Sequence, residues 1–313
     1  MATQTPTYQG QNAGTGDVRA KFLKLFTGEV LSAFARKNVA LSLVKTRTIS
    51  GGVSAQFITT GRAAENAVVA HTPGSEVASS VINSNERVIT ITSRYYYSTF
   101  LDDLESKLSQ FELRGEIAKQ HAEVLSTKID RAVFAGIYAS AIVAPQDGQT
   151  AALTVTNTVI FSGATAEARG DAIIDAIFTA QAGLDANDVP MEGRVFVTAP
   201  NHYYDLVQSH KAVNRDFNGM DNGSIGGGRV MNIAGLNIVQ TNHLPVVAGT
   251  TTNVNKIVGL IFTPDVYGVV KALEITSEEN YIPEKLGYLL TSYYAMGMGT
   301  LNPSSLVVIQ DEA

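Results

Sequence analysis

Phe22-Leu-Lys-Leu-Phe-Thr-Gly-Glu-Val-Leu-Ser-Ala-Phe-Ala-Arg36 lies near one end of the chain, and Tyr294-Ala-Met-Gly-Met-Gly-Thr-Leu-Asn-Pro303, followed by Leu306-Val-Val-Ile309, lies near the other. In the first stretch Phe22, Leu25, Phe26, Val30, Ala33 and Phe34 recur at helical spacing, so Asp17 to Asn38 is predicted to be an amphipathic helix. Asp17 near its start and Arg36 and Lys37 near its end suit the helix dipole. Three phenylalanines on one stripe make an adhesive face. Such a stripe packs on its own core in most proteins. Here it sits between a polar tail, Met1 to Gly16, that reads as disordered and a long extended segment, which also lets it pack on a neighbouring molecule.

Outward from that helix, Val39 to Arg62 reads as extended, with Thr46-Arg-Thr-Ile-Ser50, a Gly51-Gly52 turn and Ala55-Gln-Phe-Ile-Thr-Thr60. Residues 63–83 are small and polar, with a Pro73-Gly74 turn, and Glu86-Arg-Val-Ile-Thr-Ile-Thr92 alternates as a strand. Two arms with a weak tip form a long hairpin that has too few large apolar residues for a core of its own, so it needs something to lie on. Asp102 and Glu105 resemble a helix start, and 112–141 carries a stripe of Ala118, Ala122, Leu125, Ile129, Ala132 and Gly136. Continuous, that helix is about 45 Å long.

Ala152 to Phe161 is predicted as a strand, and Ala168 to Asp185 as a helix with Ile173, Ile174, Ile177 and Phe178 facing inward. Arg194 to Thr198 reads as a short buried strand stopped by Pro200, after which Asn201 caps a helix bearing Tyr203, Tyr204 and Leu206. Gly219 to Gly228 is a glycine-rich loop. Strands follow at Leu236–Thr241, Lys256–Thr263, Val266–Val270, Tyr288–Met296 and Leu306–Gln310. The fold class is therefore α+β.

At 313 residues the chain is long enough for roughly two domains, and its 45% hydrophobic content is that of an ordinary globular protein. It has no Cys, which excludes disulfides, thiolate catalysis and Cys-ligated metals together. No secretory signal and no apolar run long enough to span a bilayer is present, so a soluble product is expected. The net charge of −6 opposes a DNA-gripping protein but not a container, whose walls must not stick to their contents. Between Asp17 and Arg47 seven bases face two acids; between Lys256 and Ala313 seven acids face three bases. That asymmetry suits head-to-tail contacts between subunits, or simply two differently solvated faces of one monomer.

Chemical motifs fail one by one. Gly226-Gly-Gly-Arg229 lacks the Gly-Lys-Ser/Thr ending of a phosphate loop. Asp221-Asn-Gly223 is a turn without the further oxygen ligands of a calcium loop. His202 and His210 are too far apart to share a metal on one helix, and Asp102, Asp103 and Glu105 are explained by a helix terminus. Arg94-Tyr-Tyr-Tyr97 has the ingredients of single-strand binding but reads better as a strand packing aromatics on alternate faces. No catalytic, cofactor or metal site is expected, and the protein is not read as an enzyme.

Several colinear stretches resemble the major capsid proteins of short-tailed, podovirus-type (autographivirus-like) phages. They are Phe22 to Arg36; Ile49-Ser-Gly-Gly-Val-Ser-Ala-Gln-Phe57 with Gly61-Arg62; Glu86-Arg-Val-Ile-Thr-Ile91; Val189-Pro190 with Arg194-Val-Phe196; Gly223-Ser-Ile225 with Asn242-His-Leu-Pro245; Val258-Gly-Leu-Ile-Phe262 with Gly268-Val-Val-Lys271; and Tyr294-Ala-Met-Gly297. The resemblance implies the tailed-phage and herpesvirus capsid fold. Its arm falls at 1–48, its extended-loop hairpin at 49–97, its peripheral domain at 98–159 and 256–313 with a spine helix at 112–141, and its axial domain at 160–255. It further implies hexamers and pentamers that close into an icosahedral shell around double-stranded DNA. A scaffolding protein and a portal protein would be partners, and assembly would take place in the host bacterial cytoplasm. Subunit contacts are then expected at Phe22, Leu25, Phe26, Val30, Phe34, Arg36, Gln56, Phe57, Arg62 and Arg94. A cellular compartment shell (encapsulin-like) of the same fold is the alternative.

Overall fold

The computed structural model describes residues 39–63, 67–77, 79–104, 113–145, 148–157, 165–209, 211, 223–224, 229–230, 232–246 and 257–310. The predicted helix at Asp17–Asn38 lies outside them, with Phe22, Leu25, Phe26, Val30, Phe34 and Arg36, as does most of the glycine-rich loop. In chain order the elements are α1 (Ala40–Leu43), β1 (Lys45–Thr48), β2 (Ser54–Thr60), β3 (Ser84–Thr90), β4 (Arg94–Asp102), α2 (Leu113–Ala139), β5 (Leu153–Thr156), α3 (Ala166–Ala186), β6 (Val195–Thr198) and α4 (Pro200–Gln208). They continue with β7 (Gly223–Ser224), β8 (Arg229–Val230), β9 (Asn232–Ile233), β10 (Leu236–Gln240), β11 (Ile257–Phe262), β12 (Tyr267–Ile282), β13 (Gly287–Thr300) and β14 (Leu306–Gln310). The chain divides into two compact units.

The larger unit spans 38–90, 130–270 and 297–313. Its centre is a mixed six-stranded sheet in the order β5-β14-β11-β6-β10-β9. Pairs β14–β5 and β10–β6 are parallel, whereas β11 runs antiparallel to both β14 and β6. Every residue of β11 is buried, as expected of a central strand with both faces covered. Helix α3 packs on this sheet through Ala172, Ile173, Ala176, Ile177, Ala180 and Leu184. Its start is set by Thr165, whose hydroxyl accepts from Ala168 N at 3.2 Å. Arg194, buried at the head of β6, ties the far end of α3 to the turn that follows. It donates to Gln181 Oε1, to Asp185 Oδ1 at 2.7 Å, to Val189 O and to Pro190 O at 3.0 Å.

Several expectations need correcting in this unit. Phe178 does not face inward: it is 56% exposed, because Ile174, Ile177 and Gln181 occupy the buried arc of α3. Asn201 does not cap α4; Ala199 is the N-cap, with Pro200 in the first turn, where a missing N–H costs nothing. Val39 to Arg62 is not continuously extended, since Ala40–Leu43 forms one helical turn. The sheet also crosses the expected boundaries at 160 and 255. Strands β5, β11 and β14 come from outside 160–255, yet hydrogen-bond into one sheet with β6 and β10. Backbone pairing along β11 decides this, and no local pattern in the sequence announces which strand it will join.

In the smaller unit, described over 91–104, 113–129 and 271–296, strands β12, β13 and β4 lie side by side. The β4–β13 register runs from Arg94↔Ala295 to Asp102↔Gly287. Alternation puts Tyr95, Tyr97, Thr99 and Leu101 on one face and Arg94, Tyr96, Ser98 and Phe100 on the other, as the aromatic run predicts. Helix α2 confirms the long helical pattern at 112–141. Its buried positions are richer than the small-residue stripe suggests: Leu125 and Ile129 in this unit, and Val133, Phe134 and Ile137 in the part of the helix that belongs to the larger one. Asp102 ends β4, and its Oδ1 accepts from Leu104 N at 2.9 Å.

Gly259 in β11 has no room for a side chain, as a Cβ there would lie 2.4 Å from the Phe196 ring and 2.8 Å from Val197 O. Gly259→Ala is expected to destabilise the subunit by about 1–3 kcal/mol. Urea unfolding of the unassembled protein measures it, and an unchanged midpoint would mean that the Phe196 ring swings aside freely.

Candidate functional site

The most unusual surface begins at β2 and β3. They pair antiparallel from Ser54↔Thr90 to Thr60↔Ser84 and have no third strand among the described residues. Gly61 N donates to Asn83 O at 2.8 Å, so the ribbon continues past the strands. Only its root is buried. Ala55 and Ile89 are 6% and 3% exposed, and a Cβ on either Gly268 or Gly299 would come within 3.0 Å of the Ile89 side chain. Ile89 therefore seats on two glycine positions that leave space for it. Beyond the root the apolar side chains stand in solvent: Ile58, Val88 and, toward the tip, Val68, Val69, Val77, Val81 and Ile82. The tip is less polar than its reading as small and polar allows, because Val68-Val69, Val77 and Val81-Ile82 among Ala, Ser and Gly carry no periodic signal.

The predicted contact residues within the described chain separate into three places. Gln56 lies on the open face of the ribbon beside Val88, its register partner. Phe57 points to the opposite face, half-buried, with the Arg47 guanidinium 5.9 Å from its ring centre and Arg47 Nη1 donating to Gln56 O at 3.1 Å. Arg62 forms an ion pair at 2.5 Å with Asp188 of its own chain, at a cleft of about 810 Å³ also lined by Gly148, Pro264 and Ser304. Arg94 belongs to the smaller unit, where its guanidinium sits 4.9 Å over Tyr293, whose hydroxyl donates to Glu278. Sequence reasoning missed Ile58 and Val88; their alternation in β2 and β3 was the available signal.

Three buried polar clusters hold the units in shape. In the smaller unit His121 links Thr99 Oγ1 at 2.7 Å to Ser292 Oγ at 3.3 Å, Ser292 bonds Ser277 at 2.7 Å, and the Tyr97 ring meets the imidazole edge-on. In the larger unit Arg169 grips Asp205 with two bonds at 2.8 and 3.2 Å, beside buried His202. Asp130, also buried, accepts from Val39 N, Ala40 N and His243 Nδ1. None of these is arranged as a catalytic centre. Ser292 is fully buried and no described carboxylate bonds the His121 imidazole, so the nucleophile–base–acid geometry is missing. Among the described residues no group of three His, Asp or Glu side chains could hold a metal, and no helix is long and apolar enough to cross a membrane.

A sequence profile of the Gp10A-like family, described as "Major capsid protein", matches residues 56–310. The major capsid protein of Escherichia phage T7 is 30% identical over 96% of this chain and 95% of its own length, and that of Enterobacteria phage T3 is 28% identical over 96% and 94%. Among solved structures, the capsid of cyanophage P-SCSP1u superposes with a TM-score of 0.79 at 28% identity, over 99% of each chain.

Burial holds the His121 imidazole below its ordinary value of 6.5. It does the same at His202, where Arg169 adds to the depression and the Asp205 carboxylate opposes it. A depressed histidine binds its proton more readily once unfolded. Its contribution to stability is therefore complete above 6.5 and is lost as pH falls below that value. The urea midpoint of the subunit is expected to drop between about pH 7 and about pH 5, with His121→Gln, which still bonds hydroxyls but does not titrate, showing a shallower drop. An undiminished slope in that variant would remove His121 from the account.

Proposed function

The chain belongs to the Gp10A-like major capsid protein family, and from that premise we propose that its copies associate as hexamers and pentamers into an icosahedral shell enclosing double-stranded DNA. It is a structural component of a phage capsid and not an enzyme. The observation that best supports the assembly reading is the β2–β3 ribbon, anchored by Ile89 at its root and carrying exposed Ile58, Val88, Val68, Val69, Val77, Val81 and Ile82 beyond it. An isolated two-stranded ribbon is at best marginally stable in water, and since no described part of the chain covers these apolar side chains, a neighbouring molecule gives them a dry environment. The ribbon is the extended loop, spanning 49–97, and it lies across a neighbouring subunit with Gln56 on the contacting face. Segment 1–48 is the arm, and Phe22, Leu25, Phe26, Val30, Phe34 and Arg36 make its contacts. Strands β6, β9 and β10 with α3 and α4 supply the axial body around 160–255, and β5, β11 and β14 extend its sheet from the spans on either side. Helix α2 serves as the spine of a peripheral region that takes in 98–159 and 256–313.

Arg62 and Arg94 serve as contact residues only if their present partners, Asp188 and Tyr293, are shared or exchanged. Assembly takes place in the host cytoplasm with a scaffolding protein, and a portal protein occupies one vertex. A cellular compartment shell is disfavoured, because the similarity to phage capsid proteins runs along almost the whole chain.

Phe26→Asp or Phe34→Asp is expected to leave a soluble, folded subunit that fails to form closed shells in negative-stain electron microscopy. Normal particles from either variant would remove the arm helix from the contact. In limited proteolysis the Gly51-Gly52 turn and the Pro73-Gly74 tip should be cut in the free subunit and protected in the particle. Equal rates in both states would count against the ribbon as a contact.

A further inference from the structure

Asp130 lies well inside α2 with only 2% of its side chain exposed, a costly position for a carboxylate unless all its acceptor capacity is used. It is used. Oδ2 accepts from Val39 N at 2.9 Å and from His243 Nδ1 at 3.1 Å, while Oδ1 accepts from Ala40 N at 3.3 Å. A carboxylate of this kind only accepts, so the His243 proton sits on Nδ1. The same imidazole is fixed from its backbone, where His243 N donates to Thr241 Oγ1 at 3.2 Å.

The two amides that Asp130 captures open α1, a single turn whose own Val39 gives no side-chain cap. One turn does not persist alone in water. A negative carboxylate across its first N–H groups supplies both the missing cap and a favourable charge for the helix dipole. The capping group thus comes from a distant part of the chain, and His243 on the β10–β11 connection holds it in place.

We propose that Asp130, oriented by His243, is the positioning residue for the N-terminal segment. It pins the chain at Val39 and Ala40, so residues 1–38 leave the folded body from the same point in every copy. This rests on the shell reading above, in which that segment contacts a neighbour. A contact segment on an unfixed root would search a larger volume, and its effective concentration at the neighbour would fall.

Hydrogen exchange of the unassembled subunit, followed by negative-stain microscopy of expressed particles, tests the proposal. In Asp130→Ala the amides of 39–43 should exchange about tenfold faster, as expected for loss of a charge-assisted bond, while α2 amides stay protected. Closed shells should become few or misshapen. His243→Ala should give a smaller acceleration and His243→Asn, which keeps a donor near Nδ1, should restore protection. Unchanged exchange at 39–43 in Asp130→Ala overturns the pin. Faster exchange with normal shells overturns the positioning role and leaves the shell reading intact. If Asp130→Ala also loses protection in α2, then Asp130→Asn and His243→Ala decide by the same two readouts. Loss of shells in Phe26→Asp alongside normal shells in Asp130→Ala separates the two claims directly.

Discussion

A two-stranded antiparallel ribbon cannot bury its own apolar side chains, because each strand has a single neighbour and both faces of the pair meet solvent. In this protein β2 and β3 obey that limit. The side chains nearest the body, Ala55 and Ile89, disappear into it, and those beyond stay exposed. What holds the ribbon is therefore small, chiefly Ile89 against Gly268 and Gly299, with the Arg47 guanidinium closing over Phe57. Farther out, Arg62 meets Asp188 of the same chain, while the apolar side chains Ile58, Val88 and the tip valines stay exposed among the described residues. A surface of this kind is a liability in a monomer and an asset in a repeating assembly, where each copy covers the ribbon of another.

Such an arrangement works only if the body that projects the ribbon is stiff. The buried polar clusters meet that need better than apolar packing alone, because hydrogen bonds fix direction as well as distance. Arg194 fixes the end of α3 to the turn before β6 with four acceptors. Arg169 and Asp205 fix its start against α4, where Gly170 lets the Asp205 backbone come close. Asp130 and His243 fix the start of α1. A weak contact repeated in every copy closes a shell if it always points the same way, so orientation matters more here than the strength of any one contact.

Much of this could be read from the sequence wherever a local pattern and its structural consequence coincide. Leu306–Gln310 was predicted residue for residue, because four consecutive β-rich apolar residues after a Pro-Ser-Ser turn admit little else. The hairpin arms were legible from alternation, and the helix beginning near Leu113 from its stripe at helical spacing. Long-range consequences were not. Phe178 was turned inward because a large aromatic beside Ile177 suggests a core, yet the arc was already filled by Ile174 and Gln181. The sheet membership of β5, β11 and β14 depends on pairing across long stretches of sequence. Asp130 looked like any polar residue on a helix, and only the fold brings Val39 and His243 to it. At the ribbon, the resemblance implies contacts at both Gln56 and Phe57, but successive residues of a strand point to opposite faces and do not share one contact.

The distribution of charge follows from the same division of labour. Several described bases are already neutralised by acids of their own chain: Lys45 by Asp265, Arg62 by Asp188, Arg169 by Asp205, Arg194 by Asp185 and Lys271 by Glu274. Releasing counterions from a nucleic acid requires cations free to meet phosphates, and bases held this way offer little of that. A net charge of −6 likewise gives the subunit little attraction for a polyanion. The exposed pairs, Lys45–Asp265 and Arg62–Asp188, contribute little stability where they stand. For that reason they cost little to exchange for partners on an adjoining copy, whereas the half-buried grip of Arg169 and the buried one of Arg194 cannot be exchanged without loosening α3. The molecule thus keeps its rigid charges inside and its negotiable ones at the surface.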